Sequence, residues 1–210
     1  MCDSIYKITD KFMNPFFDVT MYLSEHIDMA IIGAFLFVLI MSFVPKIDLY
    51  IEKLTKIFMV IAAVALIVLT LIVSYDVIAR KLFHGGSIAL QELEWHLYDL
   101  TFLFAIAFTM SHDKHVRVDI FYDRFSVKTK AVIQIITVLF FVVPFATLVI
   151  SEAIPFVQMS YSMHEQSGDP GGLGCRWIIK STMFIGFLLV LLQSISELQK
   201  AYFKLRHSKG

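Results

Sequence analysis

Charge is scarce in this chain. Asp, Glu, Lys and Arg together supply 17% of its 210 residues, against 58% hydrophobic residues. A soluble globular domain runs nearer 45–50% apolar, so that class is excluded. Five stretches hold at most one charge each: Met29–Val44, Ile57–Ala79, Trp95–Ser111, Ala131–Ile150 and Trp177–Ile195. Cysteine is equally rare. Cys2 and Cys175 form no metal or redox motif. Both could face an oxidising compartment, which leaves a disulfide open, but they read as two unrelated thiols. Phosphate-binding, nucleotide and hydrolase motifs are missing, and no enzyme activity is expected. The first 26 residues hold no long apolar core, so no secretory signal is expected.

What is present is a set of membrane spans. About twenty apolar residues cross the ~30 Å hydrocarbon core as a helix. Ile57–Ala79, Trp95–Ser111, Ala131–Ile150 and Trp177–Ile195 satisfy this, and Pro144 predicts a kink in the third of them. Met29–Val44 is shorter but uncharged, bounded by Asp28 and by Pro45 and Lys46. It is counted as a span, with a re-entrant or interfacial helix as the alternative. The fold class expected is an all-α integral membrane bundle. Residues 4–14 carry Ile5, Ile8 and Phe12 at helical spacing up to Asn14-Pro15. They read either as a surface-lying helix or as a frayed polar tail.

The net charge of zero conceals a strong asymmetry. Lys46, Lys53 and Lys56, then Lys114, Arg117, Arg124, Lys128 and Lys130, then Lys200, Lys204, Arg206 and Lys209, all fall to one side of the membrane. The opposite loops carry Arg80, Lys81 and Arg176. The basic side is therefore expected in the cytoplasm, with the C-terminus inside and the N-terminus outside. Tyr75, Trp95, Tyr98 and Trp177 then lie at the outer interface, to which Lys180 can also reach.

A few polar groups near the spans need an explanation. Asp76 and Arg80, four apart, can pair on one helical face, as a local pair or as a docking contact. Glu92, His96 and Asp99 share another face. A Glu/His/Asp triad can bind a metal, but one imidazole without a second Glu-x-x-His element points instead to an acidic face meeting basic residues, such as Arg80 or a neighbouring subunit. The span centres are nearly free of ionisable groups, and no repeat relates the two halves, which argues against a self-contained transporter. The histidines other than His96 lie outside the span cores, so haem ligation is not expected either. No metal, cofactor or nucleic acid is expected.

Read in order, the motifs are Asp76-Val-Ile-Ala-Arg80, Gln91-Glu92-Leu93-Glu94, an aromatic-rich span, His115-Val-Arg117-Val-Asp119 and Arg176-Trp177. This set resembles the small membrane subunit, DctQ type, of tripartite ATP-independent periplasmic (TRAP) transporters, over roughly residues 55–200. Gln91 departs from the family's first glutamate. The resemblance implies a four-helix membrane domain at 55–200, preceded by an added helix within residues 1–54 and followed by a tail at 201–210. It implies two protein partners, a large multi-span membrane subunit and a periplasmic substrate-binding protein, along with membrane lipids. It also implies a scaffold role in sodium-coupled uptake of a small organic anion, a carboxylate or sulfonate, across the bacterial inner membrane. Arg80, Glu92 and His96 are then outer-side contacts, and His115, Arg117 and Asp119 are cytoplasmic structural pairs or subunit contacts; none is catalytic or substrate-binding. A redox-enzyme membrane anchor or a small oligomeric transporter are the alternatives.

Overall fold

The computed structural model describes residues 25–83, 85–111 and 125–207, and, nearer the N-terminus, residues 5, 6, 9, 13, 15–17, 20 and 21. From residue 25 onward the described residues form α1 (Ile27–Met41), α2 (Ile47–Phe83), α3 (Ile88–Ser111), α4 (Val127–Ser162) and α5 (Arg176–His207). They include no strand. The protein is an all-α membrane protein.

Three helices, α2, α4 and α5, are long and apolar enough to cross a membrane. All three overshoot the spans read from hydropathy. With 37 residues, α2 is about 55 Å long, well beyond a ~30 Å hydrocarbon core. Its first turns therefore carry Asp48, Glu52, Lys53 and Lys56, and its far end Asp76 and Arg80. The expected span Trp95–Ser111 is helical within α3, but α3 is not among the three. Glu92, Glu94, His96 and Asp99 make its first half too polar. It holds its place by packing lengthwise between α2 and α5. The other short candidate, Met29–Val44, becomes the 15-residue α1. Pro45 has no N–H to continue that helix, and Lys46 takes a left-handed conformation with φ 63° before α2 begins.

At the centre of the bundle is α5. In its most apolar stretch 44% of residues are buried, against 11% for α2, which is therefore peripheral. Leu189, Val190, Leu191, Ile195 and Leu198 of α5 meet Ala107 and Met110 of α3, Val138, Val143 and Ala146 of α4, and Val38 of α1. The added α1 thus contributes Val38 to the core of its own chain.

Small residues set the closest approaches, since lipid tails are as apolar as leucine and packing has to hold membrane helices together. Ala62 and Ala65 are the buried points of α2 facing α3, and the Thr101 hydroxyl of α3 donates to the Ala62 carbonyl at 3.4 Å. Beside this seam Phe58 and Phe104 meet edge to face at 4.8 Å. On α5, a Cβ at Gly186 would lie 3.0 Å from both the backbone oxygen and the Cβ of Leu103.

The Pro144 kink expectation meets a specific device. A π-helical turn, Val138–Val142, ends two residues before the proline. Such a turn absorbs the missing N–H and the ring's clash with the carbonyl four residues back. At the other end of α4, the described N-terminal residues are helical, Pro15 among them. They pack on the bundle: Tyr6 and Phe17 are buried with Val157, Tyr161 and Cys175, and Thr9 and Tyr161 share a hydroxyl hydrogen bond of 2.9 Å. Ile8 and Phe12 lie outside the described residues. Trp177 meets Tyr161 edge to face at 5.4 Å, and Tyr75, Trp95 and Tyr98 are exposed. The reading of two unrelated thiols does not hold. Cys175 is disulfide-bonded, and the chain has one other cysteine, Cys2, which is outside the described residues.

The α3–α5 approach yields a first prediction. Gly186→Leu forces a side chain into the Leu103 backbone. It is expected to cost about 1–3 kcal/mol by overpacking, read as a lower unfolding temperature in detergent, whereas Gly33→Leu, where nothing lies within 4 Å, leaves that temperature unchanged.

Candidate functional site

Among the described residues the ion pairs of the bundle collect at its two ends. At one end the organising group is Glu92, on the first turns of α3 and only 5% exposed. Its carboxylate accepts hydrogen bonds from the Ser167 hydroxyl at 2.5 Å, the Leu173 backbone N–H at 2.5 Å and the Arg176 guanidinium at 2.8 Å. The α4–α5 loop is wrapped around this carboxylate. Ser167 N–H donates to the Leu173 carbonyl, Gly172 N–H to the Asp169 carbonyl, and Asp169 N–H to the Ser167 hydroxyl. The wrap requires glycine at 172, where a Cβ would come within 2.7 Å of Glu92 Oε2 and closer still to the Ser167 side chain. Gly171, with φ +85°, turns the chain where an L side chain would be strained.

Arg176 also lies over the Trp95 ring at 5.7 Å. One turn further along α5, the Lys180 ammonium reaches Glu165 in the loop at 2.5 Å and lies 4.0 Å from the Phe156 ring centre. The ammonium of Lys180 holds the Glu165 carboxyl below the usual carboxylate range.

The residues singled out from sequence are distributed as follows. Asp76 and Arg80 form the expected i,i+4 ion pair, with Asp76 buried and Arg80 half-exposed. The Arg80 stem packs against Gly86. Glu92 does meet a basic residue, but this is Arg176 rather than Arg80. The His96 ring stacks on Trp95 at 4.1 Å. Asp99 faces a groove between α3, α4 and α5. The face shared by Glu92, His96 and Asp99 is thus divided among three different environments, and no group of three His, Cys, Asp or Glu side chains able to hold a metal occurs among the described residues. His115, Arg117 and Asp119 lie outside the described residues.

The opposite, lysine-rich end holds a cluster that sequence reading passed over. Glu197 of α5 is buried and accepts from Gln193 Nε2 and Gln134 Nε2, each at 3.2 Å. Lys200 lies 3.4 Å from Glu197 and 2.7 Å from Glu52 of α2. The Gln199 amide donates to the Val44 carbonyl in the α1–α2 turn at 3.0 Å. Three helices and a turn are thereby joined. The available signal was the helical spacing of Gln193, Glu197 and Lys200, which runs from the end of the expected span into the basic region after it. Beside the cluster is a cavity of about 340 Å³ lined by Lys130, Gln134, Glu197, Lys200 and Lys204. Between the two ends, the groove formed by Ile106, Met110, Phe141, Val142, Phe145, Phe187 and Val190 is wholly apolar.

Two predictions follow from the Glu92 end. Glu92→Ala removes the acceptor for three donors at once, so the loop at 163–175 is expected to become sensitive to limited proteolysis at concentrations that spare the wild type; Gly172→Val is expected to do the same. The second concerns pH. A carboxyl lowered by folding contributes stability that is full above its unfolded value, about 4.3 for glutamate, and is lost as pH falls through the lower folded value. Glu165→Gln is therefore expected to lower stability at neutral pH and to remove this part of the acid-side decline in a pH series of thermal melts.

The chain matches no curated protein. A family model described as the DctQ component of tripartite ATP-independent periplasmic transporters matches residues 69–202. The matched region takes in the C-terminal part of α2, all of α3 and α4 and most of α5, with both polar residues of the Asp76–Arg80 pair and the whole Glu92 cluster. Because this match covers more than half of the sequence, the chain belongs to the DctQ family of TRAP transporter components.

Proposed function

We propose that this chain is the small permease subunit of a TRAP transporter, a static scaffold and anchor for a large membrane subunit. In this reading the large subunit takes up a small organic anion, a carboxylate or sulfonate, together with sodium, after a periplasmic binding protein delivers it. The chain sits in the bacterial inner membrane. Its lysine-rich end, with the C-terminus, is cytoplasmic, and its Glu92 end, with the N-terminal segment, is periplasmic. Asp76, Arg80, Glu92 and His96 then serve the periplasmic side as structural or subunit contacts. His115, Arg117 and Asp119 serve the cytoplasmic side in the same capacity.

One observation carries the scaffold reading. Among the described residues the ion pairs lie at the two ends of the bundle, and the groove formed between them by Ile106, Met110, Phe141, Val142, Phe145, Phe187 and Val190 is apolar. A transport pathway places polar or charged groups near the membrane midplane. A bundle whose ion pairs stand at its ends, with no charged pair across its middle among the described residues, is suited to holding a partner, not to passing an anion.

Reconstitution tests this. The chain co-expressed with the large subunit is expected to co-purify with it, and uptake in liposomes is expected only when both are present. The isolated chain is expected to give no heat with candidate organic anions in calorimetry. Uptake by liposomes containing this chain alone would overturn the scaffold reading.

A further inference from the structure

Asp99 lies seven residues beyond Glu92 on α3, which moves it about 10 Å along the axis toward the middle of the bundle. It faces a groove of about 440 Å³ whose walls include Phe102, Leu103, Phe156, Met183 and Phe187. Phe102 and Phe156 are 56% and 46% exposed, so the groove is open to its surroundings. Arg176 and Lys180 reach the same groove, but their ion pairs are with other carboxylates, Arg176 with Glu92 and Lys180 with Glu165. Asp99 itself makes no hydrogen bond or ion pair among the described residues. Its closest titratable neighbour, His96, sits one turn earlier with its ring stacked on Trp95.

An ionisable side chain at membrane depth is costly unless it is paired, and here the two cations at hand are taken. We infer that this groove is a docking surface for a membrane helix of the large subunit, one that presents a lysine or arginine to Asp99 and apolar side chains to Phe102 and Phe156. Charge complementarity selects this occupant. An anionic lipid headgroup would meet cations that are already neutralised and a carboxylate that repels it. The inference rests on reading the chain as one component of a transporter, and it identifies the face through which that component is held.

The test uses the full chain co-expressed with the large subunit. With a benzophenone side chain at Phe102, ultraviolet light is expected to give a covalent adduct with the large subunit. Asp99→Lys is expected to reduce the co-purified large subunit about tenfold or more, and Asp99→Asn less. Adducts only with lipid, or only with a second copy of this chain, would overturn the proposal, as would wild-type co-purification by Asp99→Lys. Should Asp99→Lys fail to accumulate, the Phe102 adduct decides. If the unaltered chain captures no large subunit at all, the transporter reading itself fails and the groove falls with it.

Discussion

A carboxylate at the rim of a membrane helix must be satisfied before the helix can pack, and the Glu92 end of this protein is organised around that requirement. One side chain of α3 gathers a hydroxyl, a backbone amide and a guanidinium that are distant in sequence. In doing so it fixes the conformation of the α4–α5 loop and the point at which α5 starts. The position of Trp95 under Arg176, and the reach of Lys180 to Glu165, both depend on that starting point. The glycine at 172 is a consequence of the same contact, because the loop passes too close to the carboxylate for any side chain.

The lysine-rich end solves a similar problem by a different route. There the buried acid is on α5, the donors come from α4 and from α5 itself, and Lys200 carries the connection across to Glu52 on α2. Between the two ends the helices are joined by close packing at small residues, Ala62 and Ala65 on α2 and Gly186 on α5. In a bilayer, apolar burial alone does not distinguish a neighbouring helix from lipid. Directional contacts at the ends and close approach in the middle supply the specificity that apolar side chains cannot.

How much of this was legible in the sequence depended on range. Apolar runs and the lysine asymmetry are properties of short windows, and they located α2, α4 and α5. The Asp76–Arg80 pair was legible because i,i+4 spacing is itself geometry. Glu92 stood out as needing a partner, but choosing Arg176 over Arg80 required knowing that the loop folds back across α3, a contact 84 residues apart in the chain. Glu52, Gln134, Glu197 and Lys200 were missed for the same reason, since each alone is an ordinary polar residue near a helix end. Hydropathy also misjudged lengths. Charged turns remain helical when their side chains find partners or reach water, so the helices run past the apolar windows. The π-turn before Pro144 leaves no trace in composition, and nothing in the uncharged sequence of α1 singles out Val38 as the residue that joins the core.

The central place of α5 has a consequence for how the protein is made. Of the five helices described from residue 25 onward it is the last to be synthesised, yet it supplies Arg176 to one polar end, Glu197 and Lys200 to the other, and Gly186 to the seam between them. Until it emerges, Glu92 and Glu52 lack their cations, and α3 and α4 lack the surface they share. The earlier helices therefore enter the bilayer as an open set, and assembly of the native bundle is postponed until the final helix is threaded among them.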